Sequence, residues 1–99
     1  MIRFVRTATI APGKLGSALA FAREVAEHIK KHQGVTLEIL APVGGNPSRI
    51  AWKTDYQNLG ALEDMQSKLM SDPAYLQLVE KGGANFVPGS LNDSIWKTI

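Results

Sequence analysis

The period of the apolar residues changes several times along this chain, and this change constrains the fold more than any other feature. Between residues 14 and 33 apolar side chains recur at steps of three and four, which predicts an amphipathic helix. The members of this stripe are Leu15, Ala18, Leu19, Ala22, Val25, Ala26 and Ile29. Gly34 is the predicted C-cap, because glycine readily adopts the left-handed conformation that ends many helices.

Segments rich in β-branched and aromatic residues flank this helix and predict four strands. The first is MIRFVRTATI, the next two are VTLEILAPV and RIAWKTDY, and the last is DSIWKTI. The sequence GGNPS separates the middle pair and has the turn residues of a hairpin loop. A second helix is predicted after Asn58 as N-cap, and Asp72 with Pro73 predicts a short further helix.

The predicted order is therefore β-α-β-β-α-β, a single ferredoxin-like α+β domain over residues 1–99 with a four-stranded antiparallel sheet. Helices cover one sheet face only in this topology. The first strand places Phe4 and Val5 on opposite faces, and the last strand does the same with Ile95 and Trp96. Because the second face carries apolar side chains that need a cover, we expect a homodimer formed through the sheet faces.

Composition narrows the functional classes. The chain has 99 residues, of which 44% are hydrophobic and 20% charged, a balance typical of a soluble globular protein. Its net charge of +2 is spread along the sequence, so we expect no nucleic-acid partner. The apolar run ALAFA is too short to span a bilayer, so we expect no membrane partner and a cytoplasmic location. The lack of cysteine excludes disulfides and thiolate catalysis.

The layout resembles the dimeric α+β barrel superfamily over essentially the whole chain. The segment LEDMQSKLMSDPAYLQLVEKG, leading into ANFVPGSLNDSIWK, is similar to the antibiotic-biosynthesis-monooxygenase and NIPSNAP-like branches, where a proline-containing helix break is common. The resemblance implies two sheets packed face to face and a pocket between the helices and the sheet of each subunit. The superfamily contains several activities, so the fold alone does not select one.

The residues argue against the haem-degrading branch. That branch has an asparagine on the first strand, a tryptophan on the third strand and a histidine early in the second helix. Trp52 matches the second element, but the first strand has Thr7 and Thr9 and the second helix has no histidine. We therefore expect no cofactor. A cofactor-free monooxygenase needs less: an aromatic-lined cavity, exclusion of water and a polar group that stabilises an anion.

Five residues are the candidates for such a site. Trp52, Phe86 and Trp96 are predicted to bind the substrate as an aromatic lining, His28 to act as acid or base, and Arg6 to stabilise an anion. Each has an alternative reading. The alternative for both tryptophans is a place in the core or in a dimer interface, where this residue type is enriched.

Arg6 and His28 also have structural readings. Arg6 lies in a mostly apolar strand and would form a structural ion pair with Asp55 or Glu38. His28 and His32 share a helix face with Glu24, but the HExxH arrangement of zinc helices is missing, and we expect no metal.

The sequence therefore predicts a cofactor-free monooxygenase-like enzyme acting on a small apolar or aromatic compound. The alternative is a non-catalytic module that binds a small molecule, or a dimer with a structural or regulatory role.

Overall fold

Strands and helices follow one another in the predicted order in the computed structural model, which describes residues 1–99. A single turn of 3₁₀ helix separates the third α-helix from the last strand. The elements are β1 (Ile2–Thr9), α1 (Leu15–Gln33), β2 (Glu38–Leu40), β3 (Arg49–Tyr56), α2 (Leu59–Met70), α3 (Pro73–Gly82), the 3₁₀ turn (Gly83–Asn85) and β4 (Asn92–Lys97).

The four strands form one antiparallel sheet in the order β2-β3-β1-β4. β1 is therefore central, and Arg6 has Trp52 as its neighbour on β3 and Asp93 as its neighbour on β4. This is the ferredoxin-like arrangement, and the predicted fold class is confirmed. No helix is both long enough and apolar enough to cross a membrane.

The predicted helix ends are confirmed by their backbone geometry. Gly34 ends α1 with a φ of 69°, in the left-handed region that glycine tolerates best. Asn58 caps α2 by accepting a hydrogen bond from the Ala61 amide. Asp72 caps α3, and Pro73 occupies the first turn of that helix, where its missing N–H leaves no hydrogen bond unmade.

Two predictions about these elements were wrong in part. Leu15 is the first residue of α1 and is exposed, whereas the stripe buries Ala18, Ala22, Val25 and Ile29. The second strand, predicted over the nine residues of VTLEILAPV, is only three residues long. It is an edge strand that pairs with β3 at three positions, so no ladder extends it further.

The core lies between the sheet and the helices in two clusters. One cluster contains Ile2, Val25, Ile29, Tyr56, Leu62, Met65 and Tyr75, and joins the sheet to all three helices. The other contains Ala8, Ile10, Ala18, Ala22, Ile50 and Trp52, where small alanine side chains let α1 lie close to the sheet. Phe21 packs against both clusters.

The sheet face away from the helices, which we call the outer face, carries both charged and apolar side chains. Arg3 and Lys53 lie 3.1 Å and 2.9 Å from carboxylate oxygens of Asp55, and Lys53 lies 3.5 Å from Glu38. Val5, Ala51, Leu40 and Trp96 supply the apolar part of this face, as the strand register requires. The second face is therefore partly apolar, and the alternating positions of β1 and β3 place charged residues there as well.

Candidate functional site

A cavity of about 510 Å³ lies between the helix-covered face of the sheet, which we call the inner face, and helices α2 and α3. The segment 83–91 closes one side of it. Seventeen of the 23 lining residues are hydrophobic, so the cavity suits a mostly apolar compound. Its volume lies within the range of small-molecule sites in proteins.

Trp52 and Thr54 line the cavity, but each has one polar atom that the protein covers. They alternate with Lys53 on β3, so both side chains lie on the inner face, and both line the cavity. Trp52 is 7% exposed and Thr54 is 4% exposed. The indole Nε1 of Trp52 and the hydroxyl Oγ1 of Thr54 are buried without any hydrogen-bond partner in the protein. Unpartnered buried polar atoms are rare, and each lowers the stability of the fold.

Arg6 lines the cavity from β1 and is held by Asp93 of β4. Its Nε donates to Oδ1 at 2.7 Å and its Nη2 donates to Oδ2 at 2.8 Å, a bidentate ion pair. The hydrogen bonds to this carboxylate raise the pKa of the Arg6 guanidinium, although burial acts in the opposite direction. The structural alternative for Arg6 therefore named the wrong partners: Asp55 and Glu38 lie on the outer face, where an inward side chain does not reach them.

Tyr75 of α3 also lines the cavity and is buried. Burial raises the pKa of its phenol, and the positive charge of Arg6 partly opposes this shift. The phenol is therefore neutral at physiological pH and can donate or accept a hydrogen bond. The sequence analysis did not single out Tyr75.

His28 does not line the cavity. Its Nε2 lies 2.7 Å from Oδ2 of Asp72, the residue that caps α3, and its ring lies beside those of His32 and Tyr75. This hydrogen bond lowers the pKa of the Asp72 carboxyl. The structure therefore gives His28 a positioning role, tying α1 to the start of α3, and does not place it where an acid or base would meet a bound compound.

Trp52 and Phe86 are brought together as predicted, but Trp96 is not with them. Phe86 stands edge-on to Trp52, with ring centroids 5.6 Å apart, and both line the cavity. Trp96 is 63% exposed and is the β4 neighbour of Arg3, so it lies on the outer face. The prediction that Trp96 lines the pocket was wrong, because Asp93 and Ile95 occupy the inward positions of β4.

One glycine allows the aromatic wall to form. Phe21 of α1 stands edge-on to Phe86, with centroids 5.7 Å apart. A methyl group built on Gly82 would overlap the ring of Phe21. Gly82 therefore lets α3 approach α1 closely enough for Phe21 to support Phe86, which in turn supports Trp52.

The sequence did contain a signal for Thr54. On β3 the inward positions are Ile50, Trp52, Thr54 and Tyr56, so one small polar side chain lies among three large apolar or aromatic ones. A polar residue at a position that alternation assigns to the core is a candidate for function, because it needs a partner there. No group of three or more histidine, aspartate or glutamate side chains lies together in a way that could hold a metal ion.

Comparison with solved structures gives the same fold. Protein Atu4242 from Agrobacterium tumefaciens, a NIPSNAP family protein, superposes with a TM-score of 0.82 at 21% identity, covering 100% of this chain and 94% of that one. A NIPSNAP domain protein from Burkholderia xenovorans gives 0.83 at 15% identity, over 100% and 95% of the two chains. An antibiotic biosynthesis monooxygenase gives 0.75 at 13% identity, over 100% and 99%.

No protein-family model matches the chain, and no curated protein matches it by sequence. The resemblance to the antibiotic-biosynthesis-monooxygenase and NIPSNAP-like branches is confirmed at the level of the fold. Because the identities are this low, the likeness defines the architecture, and function has to be argued from the cavity itself.

Proposed function

We propose that this protein is a cofactor-free monooxygenase-like enzyme that takes a small, mostly apolar aromatic compound into the cavity between the sheet and α2 and α3. The observation that carries the proposal is the cavity of about 510 Å³ with its mostly hydrophobic lining, in which Trp52 and Phe86 form an aromatic wall. Such a lining suits a small aromatic compound, because burial of apolar surface supplies the affinity.

The proposed reaction requires few catalytic groups from the protein. An activated methylene group of the substrate loses a proton, and the resulting carbanion or enolate is oxidised by dioxygen. The net change is R₂CH₂ + O₂ → R₂C=O + H₂O, in which the substrate supplies all four electrons. The neutral phenol of Tyr75, which lines the cavity, would donate to the oxygen that becomes negative in the enolate. The hydrophobic lining would exclude water from the reactive intermediate.

The lining also supports a second candidate function. Its titratable residues are Arg6, Tyr56 and Tyr75, and it contains neither a carboxylate nor an imidazole. Burial holds the Tyr75 phenol neutral, so no strong general base faces the cavity. This favours either a substrate that ionises readily by itself or the alternative function, a non-catalytic module that binds the same class of compound.

Oxygen consumption with anthrone, an aromatic ketone with an activated methylene group, separates these two functions. The enzyme hypothesis predicts oxygen uptake above the spontaneous rate and formation of anthraquinone. Trp52→Phe, which makes the aromatic wall beside Phe86 smaller, should slow this turnover. Trp96→Phe is the matched control on the outer face and should not. Saturable binding of anthrone without faster oxygen uptake would support the binding module and contradict the enzyme.

We also propose, as the sequence predicted, that two copies associate through the outer face. The charges there are mixed, with Arg3 and Lys53 beside Asp55 and Glu38, so a two-fold related copy presents complementary charges. Trp96 supplies an exposed apolar contact on the same face. A cytoplasmic location stays a prediction from the sequence.

A further inference from the structure

A tight turn just before β4 forms part of the cavity wall. Residues 87–91 make up this turn, and four of them line the cavity: Val87, Gly89, Ser90 and Leu91. Pro88 and Gly89 are its central residues, and Gly89 has a φ of 79°. The Ser90 amide donates to the Val87 carbonyl at 3.2 Å. These features define a type II turn, in which proline and glycine suit the required angles, so the turn is stiff and can move as one unit.

Two hydrogen bonds to Thr9 attach this turn to the sheet. The Val87 amide donates to the Thr9 carbonyl at 2.8 Å, and the Thr9 amide donates to Ser90 Oγ at 3.0 Å. The ladder between β1 and β4 ends at the pair Thr7 and Asn92, so a side-chain hydroxyl replaces the main-chain bond at the next step. The same hydroxyl donates to the Val87 carbonyl at 2.7 Å. Ser90 Oγ therefore links the sheet to both ends of the turn.

Packing holds this turn much less firmly than the residue before it. Phe86 stands edge-on to Trp52 and to Phe21, which fixes its ring in the aromatic wall. Beyond it, Val87 is 38% exposed and Leu91 is 57% exposed. Segments with exposed side chains and few hydrogen bonds open locally at a lower free energy than the core does. The turn therefore depends mainly on its bonds to Thr9.

We propose that residues 87–91, which we call the lid, open and close the cavity, and that the Ser90 hydroxyl is the latch that holds the lid shut. Opening breaks the two hydrogen bonds to Thr9 and turns the lid about Phe86 and the start of β4. Closing over a bound compound buries Val87 and Leu91, so an apolar ligand favours the closed lid. This inference rests on the proposed function only in that the cavity takes up a small apolar compound.

Hydrogen exchange followed by NMR tests the latch without any ligand. Ser90→Ala removes the acceptor of the Thr9 amide, so that amide is not a useful reporter. The Val87 amide keeps its acceptor, and we expect it to exchange about three- to tenfold faster, the effect of one net hydrogen bond. The amides of Ile10 and Ala11, which bond outside the lid, should exchange as in the unchanged chain.

Two further variants assign this effect to the hydroxyl. Ser90→Thr keeps the hydroxyl and should keep the slow exchange of the Val87 amide. Ser94→Ala is the matched control, because Ser94 lies opposite Val5 on the outer face of β4. It should leave the exchange of every reporter amide unchanged.

Binding kinetics test whether the lid controls access to the cavity. The probe is 1-aminoanthracene, an uncharged aromatic compound whose binding can be followed by stopped-flow fluorescence. Ser90→Ala should raise both its association rate and its dissociation rate about three- to tenfold, because both require the open lid. The ratio of the two rates, which gives Kd, should change much less than either rate, since the Ser90 hydroxyl is already bonded within the protein.

The outcomes separate the lid from the proposed function. Faster exchange of the Val87 amide together with faster association and dissociation of the probe supports both. Unchanged exchange of the Val87 amide in Ser90→Ala, or equal acceleration of the Ile10 and Ala11 amides, would overturn the latch. A probe that binds with the same rates to both chains would overturn the lid and leave the proposed function standing. A probe that binds to neither chain would overturn the proposed function and, with it, the role of the lid in uptake.

Discussion

The two faces of the sheet differ in whether their polar groups have hydrogen-bond partners. On the outer face, Arg3, Lys53, Asp55 and Glu38 pair with one another close to solvent. On the inner face, the bidentate pair of Arg6 is satisfied, but Trp52 Nε1 and Thr54 Oγ1 are buried without partners. One strand, β3, contributes to both patterns, because its successive residues alternate between the faces.

This difference indicates that the polar groups of the inner face lower the stability of the fold. Exposed ion pairs contribute about 0–1 kcal/mol each, so the outer face gains little from its charges and loses little without them. An unsatisfied buried polar group is unfavourable by about 1–3 kcal/mol. A sequence selected for stability alone would place an apolar residue at position 54.

The largest expected effect separates the two tryptophans. Trp52→Ala should lower the free energy of unfolding by about 3–5 kcal/mol, because it removes a buried ring that packs on Phe86. Trp96→Ala, at the exposed position, should change it by less than about 0.5 kcal/mol in an isolated chain. Urea unfolding measures both values.

Protein concentration sharpens this comparison. If two copies cover the outer face, the effect of Trp96→Ala should grow as the protein concentration rises, and light scattering should show fewer dimers than for the unchanged chain. A large loss of stability in Trp96→Ala that does not depend on concentration would contradict the assignment of this residue to an exposed outer face.

The next largest effect tests the close packing behind the inner face. Gly82→Ala should lower the free energy of unfolding by about 1–3 kcal/mol, because the added methyl group overlaps Phe21. Gly83→Ala is the matched control one residue later, where nothing lies near an added methyl group and the backbone is helical. It should be neutral or stabilising by up to about 1 kcal/mol. Equal destabilisation by the two changes would show that the contact with Phe21 is not the cause.

A smaller effect of opposite sign comes from Thr54. Thr54→Val should raise the free energy of unfolding by about 1 kcal/mol, because it removes an unsatisfied hydroxyl from the interior. A loss of stability would show that the hydroxyl is satisfied in solution.

The smallest effect concerns pH and belongs to the outer face. Hydrogen bonds from Lys53, and then from Arg3, lower the pKa of the Asp55 carboxyl below its ordinary value of 3.8. The resulting stabilisation is present above about pH 4 and is lost as the pH falls through the lowered value, since the unfolded chain then binds the proton more readily. Asp55→Asn should make the free energy of unfolding less dependent on pH in this range. Thr54→Val, which removes no titratable group, should leave the dependence unchanged.

Much of the fold could be predicted because its signals are local. The stripe of α1, Gly34 as its C-cap and the N-caps Asn58 and Asp72 all depend on residues within one or two turns of each other. The residues of the candidate site were harder to predict from the sequence. Trp52 and Phe86 were placed correctly in the lining, whereas Trp96 was not, because the facing of β4 depends on its register with β1.

His28 shows the same limit from a helix. Its periodicity placed it near the apolar stripe, but its partner Asp72 lies 44 residues further along the chain, at the start of α3. Nothing local indicates that pairing. His28, which was predicted to act as acid or base, therefore links α1 to the start of α3 through this hydrogen bond.

The sequence by itself determined the order and type of the elements, because helix and strand periods and caps are set by neighbouring residues. Only the tertiary structure decided which polar groups found partners. Arg6 bonds to Asp93 and His28 to Asp72, in each case between segments that are distant in the sequence. The buried polar atoms of Trp52 and Thr54 have no hydrogen-bond partner. Hydrogen bonding acts over about 3 Å, so it depends on how elements that are distant in the sequence pack against one another.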